Sequence, residues 1–305
     1  MPKRALVVGA LLVALLLVAV LVQRTALVAP APPGLQSESV ALAQPAVTDE
    51  QPPSAEVQEV HGLVEVQQPG GGWRALRSRE QLNVDDVIRT AGGAHASLRL
   101  GKNVRVHVAE ATTLSIEQVS ATLSKVSLDD GRVVSKVEGD GDFRFRVEIR
   151  NSNAIAETAF GEFGVLQRGS SPAAVAAKSG DVELRGKHGK VRIGAGEMSQ
   201  VSATTAPSAP SKILSSLYLK FAPTPQVSRK KSVALEGTTL PGASVTVAGK
   251  RTAADASGKF RQQVALKQGE NEILVVVEDP LGRTTSATPK ITVRSGPKVQ
   301  GEVQW

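Results

Sequence analysis

The chain has 305 residues, room for about two domains of the usual ~100–200 residues, so a single large catalytic core is not expected. Aromatic residues make up 3% and cysteine is absent, which excludes disulfide frameworks, thiolate metal sites and thiol nucleophiles together. The formal charge of +7 is unevenly placed: residues 206–305 hold 14 Lys/Arg against 7 Asp/Glu, while the residues before them balance. A basic C-terminal part suits solubility or attraction to an anionic polymer or lipid, and its densest cluster is Arg229, Lys230 and Lys231.

Residues 1–24 read as a membrane anchor. Lys3 and Arg4 precede an unbroken apolar run of 18 residues, Ala5 to Val22. At ~1.5 Å per helical residue such a run just crosses a ~30 Å hydrocarbon core. Lys3 and Arg4 orient it with the N-terminus inside and the remainder exported. The alternative is a cleaved signal peptide, but the run exceeds the usual ~7–15 apolar residues and Pro32 follows the nearest small-x-small tripeptide, Ala29-Pro30-Ala31. Residues 25–56 are rich in Pro, Ala, Gln and Ser without hydrophobic period, which predicts a stiffened spacer.

From residue 57 to 201 the pattern is strands and turns. Val64 and Val66 flank Glu65; Ala96, Leu98 and Leu100 alternate with Ser97 and Arg99; Val104, Val106 and Val108 alternate with Arg105 and His107. A period of two predicts half-buried strands. Gly92-Gly93, Asp130-Gly131 and Gly194 to Gly196 punctuate them, and no long amphipathic helix is evident. Spacing leaves a sandwich, a barrel and a solenoid equally open.

The order His61-Gly62-Leu63-Val64-Glu65-Val66, Trp73-Arg74, Gln81-Leu82, Asp85 to Thr90, Gly92-Gly93-Ala94 and Leu98-Arg99-Leu100 resembles the start of a FecR domain. Leu128 to Val134, Phe145 to Val147, Ala154 to Val165 and Val175 to Gly196 resemble its later elements. Glu157-Thr158-Ala159 replaces the family's usual Arg-Gly-Thr, and Gly101-Lys102-Asn103 replaces an acidic-glycine turn. The resemblance implies a β-solenoid-like module. It also implies a possible part in signalling from an outer-membrane receptor to a sigma factor.

Residues 202–226 read as a linker, residues 227–295 as a second β module and residues 296–305 as a tail. Val245 and Val247, Phe260, Val264 and Leu266, Ile273 to Val277, and Ile291 and Val293 predict about six short strands. With Asp255-x-x-Gly258-x-Phe260 and Asp279-x-x-Gly282 between them, the segment resembles a bacterial immunoglobulin-like β-sandwich. The expected fold is therefore mainly β: an N-terminal transmembrane helix, a FecR-like module and a small sandwich.

No chemistry emerges from the spacing. The four histidines, His61, His95, His107 and His188, lack metal-ligand spacing, and His95 and His107 fall on polar strand faces. Glu138 to Asp142 reads as a turn because Phe143 to Arg146 displaces the rest of a calcium loop. Asp85-Asp86 and Asp129-Asp130 coincide with turn signals, and Arg144, Arg146 and Arg150 read as one outer strand face. The expectation is a non-enzyme with no cofactor, metal, nucleic acid or small-molecule substrate. It is expected in the bacterial inner membrane by a single pass, with periplasmic modules contacting an envelope protein or cell-wall polymer; the alternative is a secreted or periplasmic protein after cleavage. The leading expectation is a scaffold or binding protein. The other is the periplasmic arm of a FecR-type regulator, lacking its own sigma-binding region because four residues precede the apolar run.

Overall fold

A computed structural model of the chain describes residues 55–139 and 141–294, which are almost entirely β-strands and turns with one short 3-10 helix, Arg150–Ser152. Among the described residues no helix is long and apolar enough to cross a membrane; the predicted anchor at residues 1–24, with Lys3 and Arg4, lies outside them.

The first module winds through strands β1 (Ala55–His61), β2 (Val64–Gln67), β3 (Trp73–Ala75), β4 (Gln81–Leu82), β5 (Val87–Thr90), β6 (His95–Leu100), β7 (Val104–Val108), β8 (Thr113–Val119) and β9 (Leu123–Glu138). It continues through β10 (Arg144–Ile149), β11 (Ala154–Thr158), β12 (Phe160–Gln167), β13 (Ala173–Gly180), β14 (Val182–Gly186), β15 (Gly189–Ile193), β16 (Glu197–Val201) and β17 (Ser211–Lys212). Hydrogen bonds link all 17 strands, yet they form two layers. The front layer runs β4-β1-β6-β7-β9-β12-β13-β16-β17 and the back layer β3-β2-β5-β8-β9-β10-β11-β14-β15.

Strand β9 belongs to both layers. Leu123 to Leu128 pair with β8 and β10 at the back, and Val133 to Val137 pair with β7 and β12 at the front. The corner between them is Gly131, with φ +112° and room for no side chain: a Cβ there would stand 2.2 Å from Thr112 Oγ1. The chain then returns to lay β10 parallel to the start of β9. Alternating residues of both layers meet in one core, where Phe145 from the back stands 6.0 Å from Phe163 of the front, ring centre to ring centre. The predicted alternation appears directly in β7, where Val104, Val106 and Val108 are buried while Arg105 and His107 face out.

The second module contains β18 (Lys220–Phe221), β19 (Val227–Ser228), β20 (Ser232–Thr238), β21 (Ser244–Val247), β22 (Lys250–Ala253), β23 (Lys259–Ala265), β24 (Gly269–Glu272), β25 (Val275–Glu278), β26 (Thr284–Ala287) and β27 (Lys290–Val293). They make three small sheets, β18-β20-β23, β19-β27-β24 and β22-β21-β25-β26, around a separate core of Leu235, Val245, Val247, Phe260, Val277 and Ile291. The segment between the modules is built into both: β17 pairs with β16, while Tyr218 Oη donates to Thr239 O at 2.8 Å.

Candidate functional site

The two faces of the first module differ in what covers them. On the back layer the outward residues are charged and meet across strands: Arg89 with Glu65 at 2.7 Å, Lys125 with Glu148 at 2.5 Å, Arg150 with Glu117 at 2.7 Å, and Arg146 with Glu157. Arg89 also lies 3.9 Å from the centre of the Trp73 ring. Opposite charges directly across a strand pair stabilise it modestly and leave the face hydrated.

The front layer is different where β12, β13 and β16 meet. Every residue of Ala173 to Ala177 is buried, on both faces of the strand, so alternation disappears there. Ala173, Val175 and Ala177 enter the inner core, while Ala174, Ala176 and Met198 form an outer cluster with Ile213 and Leu281. Small side chains let the second module close in. A Cβ on Gly164 would stand 2.0 Å from Pro280 O, and one on Gly242 would stand 2.9 Å from Ala174 Cβ. The β25–β26 turn and the turn before β21 therefore seat directly on this face.

A buried ion cluster borders the contact. Arg132 of β9 donates from Nε to Glu278 Oε1 at 2.9 Å, and Arg168 Nη2 lies 3.6 Å from Glu278 Oε2. The side chains of Arg132, Arg168 and Glu278 are only 10%, 7% and 15% exposed. Arg168 also donates to Ala111 O at 3.1 Å and stands 3.7 Å from Asp130. Burial, and then the nearby Arg251, lower the Arg168 pKa, with Glu278 and Asp130 opposing. Arg283 completes the contact: it bonds Asp279 at 2.7 Å and donates to Leu214 O and Ser215 O, tying the inter-module segment to the β25–β26 turn.

Beside Arg132 on the same front face lies a row of imidazoles from three adjacent strands. His61 is paired directly with His95, their rings stacked at 4.8 Å between centres and 19° between planes. His107 follows at 5.4 Å from His95. Burial depresses the His107 pKa, assisted by Arg132 and His95 and opposed by Glu59. Among the described residues no group of three or more His, Asp or Glu side chains could hold a metal ion.

The residues singled out in the sequence are dispersed. Arg229, Lys230 and Lys231 are exposed in the β19–β20 loop, where Ser228 Oγ accepts from Lys230 N at 3.0 Å. The carboxylates of Asp86, Asp129 and Asp130 serve Asn83 N, Arg150, and Gly169 N with Arg168, respectively. Glu138 engages Arg105 and Lys136. Arg146 and Arg150 belong to the back-face ion pairs, and Arg144 bonds Phe143 O and Gly141 O. His188 is exposed in the β14–β15 turn, apart from the row. The contact built on Glu278 and Leu281 escaped the sequence reading; its available signal was the loss of alternation in Ala173 to Ala177.

Residues 86–183, from the start of β5 to the start of β14, match the family model described as FecR protein, so the chain carries a FecR domain. No curated protein matches the chain. Two crystal structures of a putative anti-sigma factor from Parabacteroides distasonis ATCC 8503 are similar at 20% identity and TM-score 0.37, over 41% of this chain and 59% of theirs. A polysaccharide lyase is similar at 10% identity and TM-score 0.20, over 79% of this chain and 40% of that one. The chain thus spans 59% of the length of the first structures it matches, and scores this low carry no functional weight.

Proposed function

We propose that the chain is the binding arm of a FecR-type signalling regulator, a non-enzymatic protein that works by protein–protein contact. The FecR match over residues 86–183 carries this reading. The expected β-solenoid-like winding of the first module and the immunoglobulin-like character of the second belong to it as parts of the proposal. So does the location: the apolar run Ala5 to Val22 anchors the chain in the inner membrane and exports the rest. Crosslinking in intact cells, followed by identification of the captured proteins, tests it. Capture of a sigma factor's regulatory partner or an outer-membrane receptor is expected; capture of neither, with sigma-dependent transcription unchanged on deletion of the gene, overturns it.

A scaffold role through cell-wall contact is favoured by one separate observation, the basic excess of residues 206–305. Arg229, Lys230 and Lys231 are exposed there, and a groove of about 600 Å³ is lined by Lys220, Lys259 and Arg261 together with Glu236, Asp255, Phe221 and Phe260. Sedimentation with purified peptidoglycan at low and high salt separates the readings. Salt-sensitive binding lost on changing Arg229, Lys230 and Lys231 to Gln supports the scaffold, and no binding in either salt removes it.

A further inference from the structure

We propose that the outer edge of β23 is a docking site for an extended acidic segment of a partner protein, which adds to the second module as a further strand. Strand β23 has seven residues and is the longest edge strand among the described residues; β15, the next, has five. Natural sheets keep their edges short or guarded, because a row of unpaired N–H and C=O groups is a template for another chain. β23 carries neither a proline nor a break in its register with β20. The site lies wholly in the second module and does not depend on the FecR match over residues 86–183.

The hydrogen bonds fix which groups face outward. Leu266 N donates to Lys231 O and Thr239 N to Gly258 O, both at 2.8 Å, so in this register Phe260, Gln262 and Val264 turn their backbone toward β20. Arg261, Gln263 and Ala265 turn theirs away, and all three residues are exposed. Lys259 closes one end of this window, because Asp255 Oδ1 accepts its N–H and Asp255 N donates to its carbonyl, both at 2.9 Å. Lys267 closes the other, where Asn271 Oδ1 accepts its N–H at 2.7 Å. Between the two ends, Gln263 O accepts from the Gln262 side chain at 3.2 Å, and among the described residues the other outward backbone groups have no partner. An added antiparallel strand pairs all three residues.

Charge selects the occupant. Lys259, Arg261 and, two residues beyond the strand, Lys267 lie on the exposed face, alternating with buried Phe260, Val264 and Leu266. The nearby carboxylates are engaged: Glu236 stands 3.3 Å from Arg261, Glu270 3.0 Å from Lys290, and Asp255 Oδ1 accepts from Ser257 N and Lys259 N. A second copy of β23, turned antiparallel about Gln263, would fill the same window but set Lys259 against Lys267 twice, and like charges directly opposite are unfavourable. A strand with carboxylates opposite Lys259, Arg261 and Lys267 makes the same main-chain bonds with attraction in place of repulsion. Its alternate residues meet the edge of the core beside Phe260, Val264 and Leu266, which selects apolar side chains there.

The register dictates a probe peptide, Glu-Val-Thr-Val-Thr-Val-Glu-Val-Glu, with Glu opposite Lys267, Arg261 and Lys259. Fluorescence anisotropy of the fluorescein-labelled peptide, titrated with the full chain in mild detergent, tests the proposal. Saturable micromolar binding that weakens with salt is expected, together with a loss of about tenfold when Lys replaces each Glu. Gln263→Pro removes an outward N–H and leaves the β20 bonds in place, so it should keep the fold and lower the affinity by about tenfold or more. Circular dichroism checks the fold; if Gln263→Pro misfolds, Lys259→Glu with Lys267→Glu takes its place and should reverse the preference toward the Lys-substituted peptide. No saturable binding by the wild type, or unchanged affinity in the variant that keeps its fold, overturns the site. A wild-type dimer in sedimentation velocity that Gln263→Pro abolishes gives the edge to a second copy and overturns the acidic partner.

Discussion

The two outer faces of the first module solve the same problem in opposite ways. The back face carries its charges in water, as cross-strand pairs such as Lys125–Glu148 and Arg89–Glu65, where each pair contributes little. The front face gives up alternation at Ala173 to Ala177, covers the resulting apolar patch with the second module, and buries Arg132, Arg168 and Glu278 at its border. A buried ion group is weak as a source of stability, because desolvation offsets its attraction, but removal of one member leaves the others uncompensated. The second module is therefore expected to lose its seat when one buried charge is removed, while the back face should tolerate such a loss.

The largest expected effect breaks this comparison at its centre. Glu278→Ala leaves Arg132 and Arg168 buried without their shared carboxylate and should cost about 3–5 kcal/mol in the urea unfolding of the described unit. Small-angle scattering should show a larger radius as the modules separate. If Glu278→Ala unfolds at the wild-type urea midpoint, the cluster does not hold the modules. A triple change, Glu278→Gln with Arg132→Met and Arg168→Met, removes the charges together and should recover a large part of the loss.

Gly164→Ala attacks the same contact sterically. Its Cβ would meet Pro280 O at 2.0 Å, a backbone atom, so the turn must retreat; about 1–3 kcal/mol of destabilisation is expected, as for overpacked cores. A wild-type thermal transition in Gly164→Ala would mean that the seat is loose. By contrast, Lys125→Ala on the back face should cost less than about 1 kcal/mol, and the cost should shrink in 1 M salt. A larger loss there would erase the distinction between the faces.

The legibility of the sequence follows the same division. Strands with one wet face announce themselves by alternation, so β6 and β7 are read correctly from Ala96 to Val108. The FecR order and the mainly β character are equally readable. Where a strand is buried on both sides, as at Ala173 to Ala177, the period vanishes and the sequence suggests only an apolar run, with no sign that a second module supplies the cover. The residues that join the modules are an Arg within β9, just after the Asp130-Gly131 turn signal, and a Glu at a strand end; they lie 146 positions apart, and nothing local links them. Segment 202–226 looks like a linker for a similar reason, since its pairing through Ser211, Lys212 and Tyr218 is made by few residues without hydrophobic period. The histidine row is legible only once register is known.

The smallest expected effect uses pH to compare the faces. On the front, burial and Arg132 depress the His107 pKa, so the unfolded chain takes up the proton first as pH falls. Stability tied to His107 is therefore intact above the ordinary histidine value of ~6.5 and declines as pH drops from there toward the lower folded value. On the back, Arg185 and Lys190 lower the pKa of Glu183, so its contribution is present above the ordinary glutamate value of ~4.3 and fades only as pH falls below that. Urea midpoints measured between pH 7.5 and pH 5 should fall less in His107→Gln than in the wild type, while Glu183→Gln should leave that interval unchanged. Between pH 4.5 and pH 3 the order reverses, and Glu183→Gln is the variant that flattens the decline. Equal slopes for both variants in the upper interval would show that desolvation at His107 is absent.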